Sequence, residues 1–434
     1  MGYKLKGKKK PLQYCFEEEE EEKDPLANLP ENVIFDSEEI YTHNKTKEKN
    51  LLKEHPLPDL PEHVIYYIIA KIPAEYLPKL RYVCKSWNEL ISNNKFIAQN
   101  FFQNNTKFLI QVQKGSYFKA MSLRMDEKEL DFKLDNFGLA QMGRIRSSCN
   151  GLLLTNDPKI KGGLNVINFL TKCKVVLPQC PSSCSHLECG VALGYIPSTK
   201  EYKVVHIYVD GLGYEIFTLG CSDNKWKCIP GPFKEPYERP FQLYTFRWSD
   251  PVSMHGQILH WYVSSNQYVI SMDVNDEKPR KTYLPTLGKE IKRERCSMLE
   301  MGGYLSVVYN FSNIQIDIWI LKDFVAQVWF KKRSILAESI NYTSLKNPLL
   351  PNKYNPFLPD FHKLVPLAGL RNGEVIMFRH ENSKNDGRFY LYEIKNMEFK
   401  KFKMKFKDEP KVVPHRSSLV CWKTESELLP REST

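Results

Sequence analysis

The sequence predicts a small all-α unit followed by a long all-β domain, behind a disordered N-terminal leader. Three patterns carry that prediction. Two brief amphipathic helical patterns, broken at Ile72-Pro73, lie within residues 57 to 96. From about residue 107, short alternating apolar runs take over, separated by Gly, Pro, Asn and Asp. Residues 1 to 55 are polar and carry blocks of like charge.

The leader contains Lys8-Lys9-Lys10 and an acidic run from Glu17 to Glu22. Like-charge runs repel and bury nothing, so residues 1 to 55 are expected to be disordered. Within them, Leu26-Ala-Asn-Leu-Pro-Glu-Asn-Val-Ile34 echoes Leu57-Pro-Asp-Leu-Pro-Glu-His-Val-Ile65 at an offset of 31 residues. The first copy runs on into Asp36-Ser-Glu-Glu39 and Asn44-Lys-Thr-Lys-Glu-Lys-Asn50, which offer no apolar face. It reads as a truncated duplicate that does not fold as a module. No apolar stretch follows the N-terminal charges, so no secretory signal is expected. Lys6 stands where myristoylation after Gly2 wants Ser or Thr. No apolar run approaches the roughly 20 residues of a membrane helix, so no membrane partner is expected.

The second copy continues into a helix. Asp59 suits a helix cap and Pro61 a first turn. Val64, Ile65, Ile68 and Ile69 then follow the i, i+1, i+4, i+5 stripe of an amphipathic helix. Pro73 ends it. A second helix is expected to carry Leu77, Leu80, Cys84 and Trp87 down one face, with Val83 beside them. Leu90 and Ile91 extend the pattern, and Asn93-Asn94 marks its stop. So small a segment cannot bury its own apolar residues. It needs a partner surface.

The β pattern is carried by Phe108 to Val112, Gly151 to Thr155, Val166 to Phe169, Lys203 to Val209 and Tyr214 to Leu219. Gln257 to Val263, Tyr268 to Asp273, Tyr304 to Tyr309, Gln315 to Leu321, Val375 to Arg379 and Phe389 to Ile394 continue it. Such spacing fits a sandwich, barrel or propeller. Phe402 to Lys407 alternates strictly between apolar residues and Lys, as a strand near a sheet edge would.

Several function classes are disfavoured. A net charge of +11 is spread along the chain, and solvated strand lysines account for Lys400 to Lys407 without RNA, so no nucleic-acid partner is expected. Eleven cysteines without an export signal read as reduced thiols. Cys173, Cys180, Cys184 and Cys189, with His186, lack the two separate pairs of a structural zinc site, so no metal and no cofactor is expected. Gly211-Leu-Gly213 reads as a hairpin turn, since it lacks the third Gly of a dinucleotide loop. No phosphate-loop, His-Glu-x-x-His or Gly-x-Ser-x-Gly motif occurs, and His255, His260 and Asp273 are scattered over β segments, so no catalytic residue is expected. The competing class is a carbohydrate- or small-molecule-binding β module using Trp226, Trp248, Trp261 and Trp329, but tryptophans within strand runs read better as core.

Residues 57 to 96 closely resemble the F-box, through Leu60-Pro61-Glu62, Val64, Ile68, Ile69, Ile72-Pro73, Leu77, Leu80 and Val83-Cys84-Lys85-Ser86-Trp87. The Cys-Lys-Ser-Trp ending is typical of the plant branch. Pro78 departs from the usual Leu, and Glu75 from the usual Lys. The remainder is similar to the F-box-associated domain of plant receptors, type 3 or type 1. Its phrases occur in order: Ser148-Cys-Asn-Gly-Leu-Leu-Leu154, Asn168-Phe-Leu-Thr-Lys172, Gly194 to Val205, Phe217-Thr-Leu-Gly220, Gly256-Gln-Ile-Leu-His-Trp261, Ile270-Ser-Met-Asp273, Gly302-Gly-Tyr-Leu-Ser306, Ile316 to Lys322 and Ser417-Ser-Leu-Val420. Asn168-Phe-Leu departs from the family's Asn-Pro-Ser.

The resemblance implies a kelch-like, propeller-type β domain, with about five to seven blades at about 40 to 50 residues each. The expected domains are residues 1–55 (leader), 56–100 (F-box), 107–422 (F-box-associated domain) and 423–434 (tail). The implied function is that of a non-catalytic substrate receptor in an SCF ubiquitin ligase of the nucleus and cytoplasm. Its implied partners are a Skp adaptor, the cullin scaffold and a target protein that the sequence does not identify. The residues expected to bind the adaptor are Leu60, Pro61, Val64, Ile68, Ile69, Ile72, Pro73, Leu77, Leu80, Val83, Cys84 and Trp87. Trp87, Leu60, Ile68 and Leu80 are the main anchors among them.

Overall fold

The computed structural model describes residues 60–422, apart from 105, 115–116, 126–131, 183–188, 208–212, 232–250, 264, 266, 287–295, 341–358, 371–372, 382–387 and 404–409. The leader, its truncated repeat and the tail lie outside the described residues. So do Cys184, His186, Trp248, most of the Gly211 turn, and the Pro-rich stretches around Pro230 to Pro240 and Leu345 to Pro359. Residues 62–434 cluster as one unit, so the helices and the β domain are one body.

Among the described residues, four α-helices come first. α1 is Glu62–Ala70, with Glu62 favourably placed in the first turn. α2 is Leu77–Leu80, a single turn with Pro78 among its first positions, where a missing N–H costs nothing. α3 is Lys85–Ser92 and α4 is Asn94–Gln103. The expected continuous second helix is therefore split. Residues 81–83 form a turn, and Cys84 is extended at the start of α3. The expected stop at Asn93 is also a start. The Asn93 side chain accepts from Lys95 N and Phe96 N and caps α4, a helix that the sequence reading did not foresee.

Among the described residues, twenty-four strands follow, in six antiparallel four-stranded sheets. They form a six-bladed propeller, which places the blade count inside the expected range. Blades two to six run in sequence: β4–β7 (within 145–176), β8–β11 (within 190–229), β12–β15 (within 252–283), β16–β19 (within 296–336) and β20–β23 (within 364–403). The first blade has, in order, β24 (Lys411–His415), β1 (Lys107–Lys114), β2 (Tyr117–Met125) and β3 (Phe132–Met142), so β24 closes the ring against β1. The leading strands contact their neighbours round the centre. Side chains join them across blades. Lys411 Nζ donates to Ile145 O on β4 (Ile145–Cys149) at 2.6 Å. Ser148 Oγ lies 2.9 Å from His415 Nδ1, and Arg146 donates to Cys189 O at 2.5 Å.

Local chemistry explains the hairpins. Asn150 and Gly151 both take positive φ (49° and 86°) between β4 and β5 (Leu152–Asn156), as a tight two-residue turn requires. The core lies within and between blades. One cluster joins Ala192, Val205 and Ile216 to Leu259, Trp261 and Ile270. Among the described residues no helix is long and apolar enough to cross a membrane.

Two buried histidines are expected to make the fold acid-sensitive. Burial holds His260 down to about 3; its Nδ1 sits 2.6 Å from Ser271 Oγ. Burial likewise holds His415 down to about 4. A histidine neutral when folded favours the native state above its unfolded pKa near 6.5 and progressively loses that contribution as pH falls below it. Stability is expected to fall between pH 6.5 and 4.5, at up to about 1.4 kcal/mol per pH unit for each histidine. Urea midpoints across that window check this. A His260→Gln variant should show a shallower decline, and an equal slope would assign the sensitivity elsewhere.

Candidate functional site

The apolar residues of the helices divide into two sets. The inner set is Ile69, Ala70, Leu77, Ile91, Phe96 and Ile97, all buried and packed with Leu419. Ile65, Tyr66, Ile72, Leu80, Trp87 and Leu90 pack around it, together with Leu170 and Val420 of the β domain. The outer set is Tyr67, Ile68, Tyr76, Tyr82, Val83 and Cys84, all exposed, with Ile68 at 50% and Val83 at 57%. Leu60 and Pro61, just ahead of this unit, are exposed as well.

The twelve expected docking residues divide accordingly. Leu60, Pro61, Ile68, Pro73, Val83 and Cys84 are exposed. Val64, Ile72, Leu80 and Trp87 are half-buried. Ile69 and Leu77 are fully buried within the chain. The physical reason is that α4 and the segment around Leu419 already cover the inward half of the stripe. Periodicity alone marks an apolar face without saying which neighbour fills it.

Polar contacts hold the helices on the propeller. Asn100 of α4 is buried and donates to Ala70 O and Ile72 O, both at 2.9 Å, satisfying the carbonyls at the end of α1. Ala74 N donates to Asn104 Oδ1 at 3.3 Å. Glu75 pairs with Lys107 of β1 at 2.5 Å. Burial opposes ionisation of Glu75, but hydrogen bonds from Lys107 and Ser417 outweigh it and hold the carboxyl below its ordinary value. Arg416 stacks its guanidinium over Phe101, 5.1 Å from the ring centre. Glu75 thus reads as a junction residue. Glu75→Lys, which restores the commoner residue of the resembling family, would face Lys107 with a like charge. The expected result is a loss of about 1 kcal/mol in stability, recovered in part by adding Lys107→Glu; chemical denaturation of the four variants measures it.

The segment that covers the helices is itself anchored. Asn168 Nδ2 donates to Ser418 O (3.0 Å) and Val420 O (2.8 Å), and Ser418 Oγ donates to Asn150 O at 2.8 Å. A side chain at Gly151 would meet Ser418 Oγ at 2.5 Å, so glycine serves both the turn and this close approach.

The other candidate chemistries resolve into packing. Trp226 donates to Pro178 O and packs on Phe217; Trp261 is buried against Tyr214; Trp329 donates to Tyr283 O. The structure does not gather these three tryptophans into one face. Cys180 lies beside His206 and Glu215, with their donor atoms within 4.8 Å of one another. The Glu215 carboxylate accepts from Ser182 N at 2.6 Å and Ser182 Oγ at 2.8 Å, and lies 2.7 Å from His206 Nδ1. Burial raises this carboxyl, yet the bonds from His206 and Ser182 bring it below its ordinary value. This arrangement fits a tether from the segment before β8 (Gly190–Ile196) to β9 (Glu201–Ile207) and β10 (Tyr214–Thr218).

Comparison with known proteins agrees with this geometry. Residues 57–99 match the family model of the F-box domain, and residues 98–424 match that of the F-box associated beta propeller domain. The chain is 27% identical over 317 residues to the Arabidopsis thaliana F-box protein At5g49610, covering 64% of this chain and 80% of that one. It is 22% identical over 399 residues to the Arabidopsis thaliana F-box protein At4g19940, covering 83% and 90%. The crystal structure of TolB from Acinetobacter baumannii aligns over 76% of this chain and 72% of that one at 9% identity and a TM-score of 0.41, too low to add to the assignment. With four helices carrying the F-box pattern and a six-bladed ring carrying the associated domain, the chain belongs to the F-box proteins of the F-box-associated β-propeller family.

Proposed function

We propose that this chain is the substrate-recognition subunit of an SCF-type cullin ubiquitin ligase, acting in the nucleus and cytoplasm. The observation that supports it best is the outer apolar set on helices whose interior is already filled. Ile68 and Val83 stay exposed although Ile69 and Leu77 of the same helical unit are buried. Exposed apolar side chains on a well-packed element favour a partner surface. The F-box match favours a Skp adaptor as that partner, one that would link the receptor to the cullin.

The chain performs no chemistry in this reading. The propeller holds a target protein, and the helices tie it to the adaptor. A ubiquitin-charged enzyme on the cullin arm then meets the target's lysines at high effective concentration. The test is titration of the purified chain with a recombinant Skp adaptor, followed by size-exclusion chromatography with cullin. A stoichiometric complex is expected, and failure to bind any Skp adaptor would overturn the proposal. Targets should accumulate in affinity purifications when the proteasome is blocked.

A further inference from the structure

We propose that Cys173 and Cys421 form a reversible disulfide that fastens the helix-covering segment to blade two. Their sulfur atoms stand 3.4 Å apart as thiols, though 248 residues separate them in sequence. A disulfide needs about 2.05 Å between sulfurs, so bond formation asks for an approach of about 1.3 Å, within the range of side-chain adjustment.

The backbone on both sides is already in place. Cys173 opens β7 (Cys173–Val176), the outer strand of blade two, and pairs with Asn168 on β6 (Leu164–Asn168). The Asn168 side chain in turn holds Ser418 O and Val420 O, immediately ahead of Cys421. The same asparagine thus aligns both thiol-bearing segments. Both thiols are half-buried, which leaves a small oxidant a path. Arg81, just after α2, lies within electrostatic reach of Cys173, so the pair sits beside the helices.

The chemistry balances with a small disulfide oxidant of the oxidised-glutathione class. One cysteine thiolate attacks the oxidant's S–S bond, forming a mixed disulfide and releasing one thiolate. The second cysteine attacks the mixed disulfide, forming the Cys173–Cys421 bond and releasing the other. The two cysteine thiols are oxidised, the small disulfide is reduced to two thiols, and the two protons pass to the departing thiolates. The product closes the propeller ring covalently from blade two to the segment beyond β24. This proposal is independent of adaptor docking.

The test uses the full chain equilibrated in reduced and oxidised glutathione mixtures, acid-quenched, alkylated and mapped as peptides without reduction. The expected result is a Cys173–Cys421 cross-link that appears at a more reducing ratio than any involving the exposed Cys84, Cys221 or Cys228. The unfolding midpoint should rise with it and return on reduction. Cys173→Ser and Cys421→Ser should each remove both effects, while Cys84→Ser keeps them. If the wild-type map instead shows only mixed disulfides at Cys173 and Cys421, or cross-links elsewhere first, the proposal fails. That map decides the matter even if a serine variant does not fold.

Discussion

Replacing Ile68 and Val83 together by Glu is expected to weaken adaptor binding by about 100-fold or more while leaving the unfolding midpoint nearly unchanged. Large apolar anchors at an interface centre contribute about 2 kcal/mol or more each, and a charge at such a position adds a desolvation penalty. Both side chains are half or more exposed, so the folded chain loses little when they change. Leu77→Ala provides the contrast. Leu77 is fully buried, and truncating it should cost about 2–5 kcal/mol of stability, with binding impaired only through unfolding. Calorimetry with the adaptor and thermal denaturation on the same preparations separate the two cases. Wild-type affinity in the Ile68→Glu, Val83→Glu double variant would move the docking face elsewhere.

The second large effect concerns the closing strand. A chain ending before Lys411 is expected to lose its single cooperative unfolding transition. β24 pairs with β1 over five positions, from Lys107↔His415 to Gln111↔Lys411. Without it, the first blade presents an open edge that carries Phe108 and Ile110, both buried in the intact protein. The inter-blade bonds to Ile145 O and Ser148 disappear. So does Leu419, and with it part of the cover over Ile69, Leu77 and Phe96. Val413→Asp offers a milder form. It puts a carboxylate into the cluster of Leu109, Ala120, Ile145 and Leu153, at an expected cost of about 3 kcal/mol or more. Urea denaturation followed by circular dichroism and tryptophan fluorescence reads both. A native-like midpoint in the shortened chain would show that ring closure contributes little.

The strands legible in the sequence share one property. The runs at Gly151 to Thr155, Val166 to Phe169, Tyr268 to Asp273, Gln315 to Leu321 and Val375 to Arg379, and the described part of Lys203 to Val209, through Ile207, all fall on middle strands of their blades. Such strands have partners on both sides and pack on both faces, so their apolar runs are dense. Outer strands such as Lys278–Tyr283 and Lys227–Ile229 carry little apolar signal, and their lysines discourage pairing with other chains. They were invisible for the reason that makes them good edges. Phe402 stood out because Lys alternates with it, and Glu398–Lys403 is indeed an outer strand. Its continuation to Lys407 lies outside the described residues.

At the helices, the apolar stripe was readable but its division was not. Ile68 and Ile69 look alike in sequence, and only the tertiary fold sends one outward and the other inward. The helix Asn94–Gln103 was hidden because an asparagine that stops one helix also caps the next. No local pattern could have supplied Leu419, Arg416 or Ser417, which reach the helices from more than 300 residues away.

That distance has a consequence for biosynthesis. The helices leave the ribosome before the β domain, and Leu419 and the strand that shuts the ring follow more than 300 residues later. Throughout translation the nascent protein shows a partly open helical core and an unpaired sheet margin, the kinds of surface that chaperones bind. A polypeptide released before those residues lacks the pieces that complete both bodies, so the helical core and the ring mature in one step.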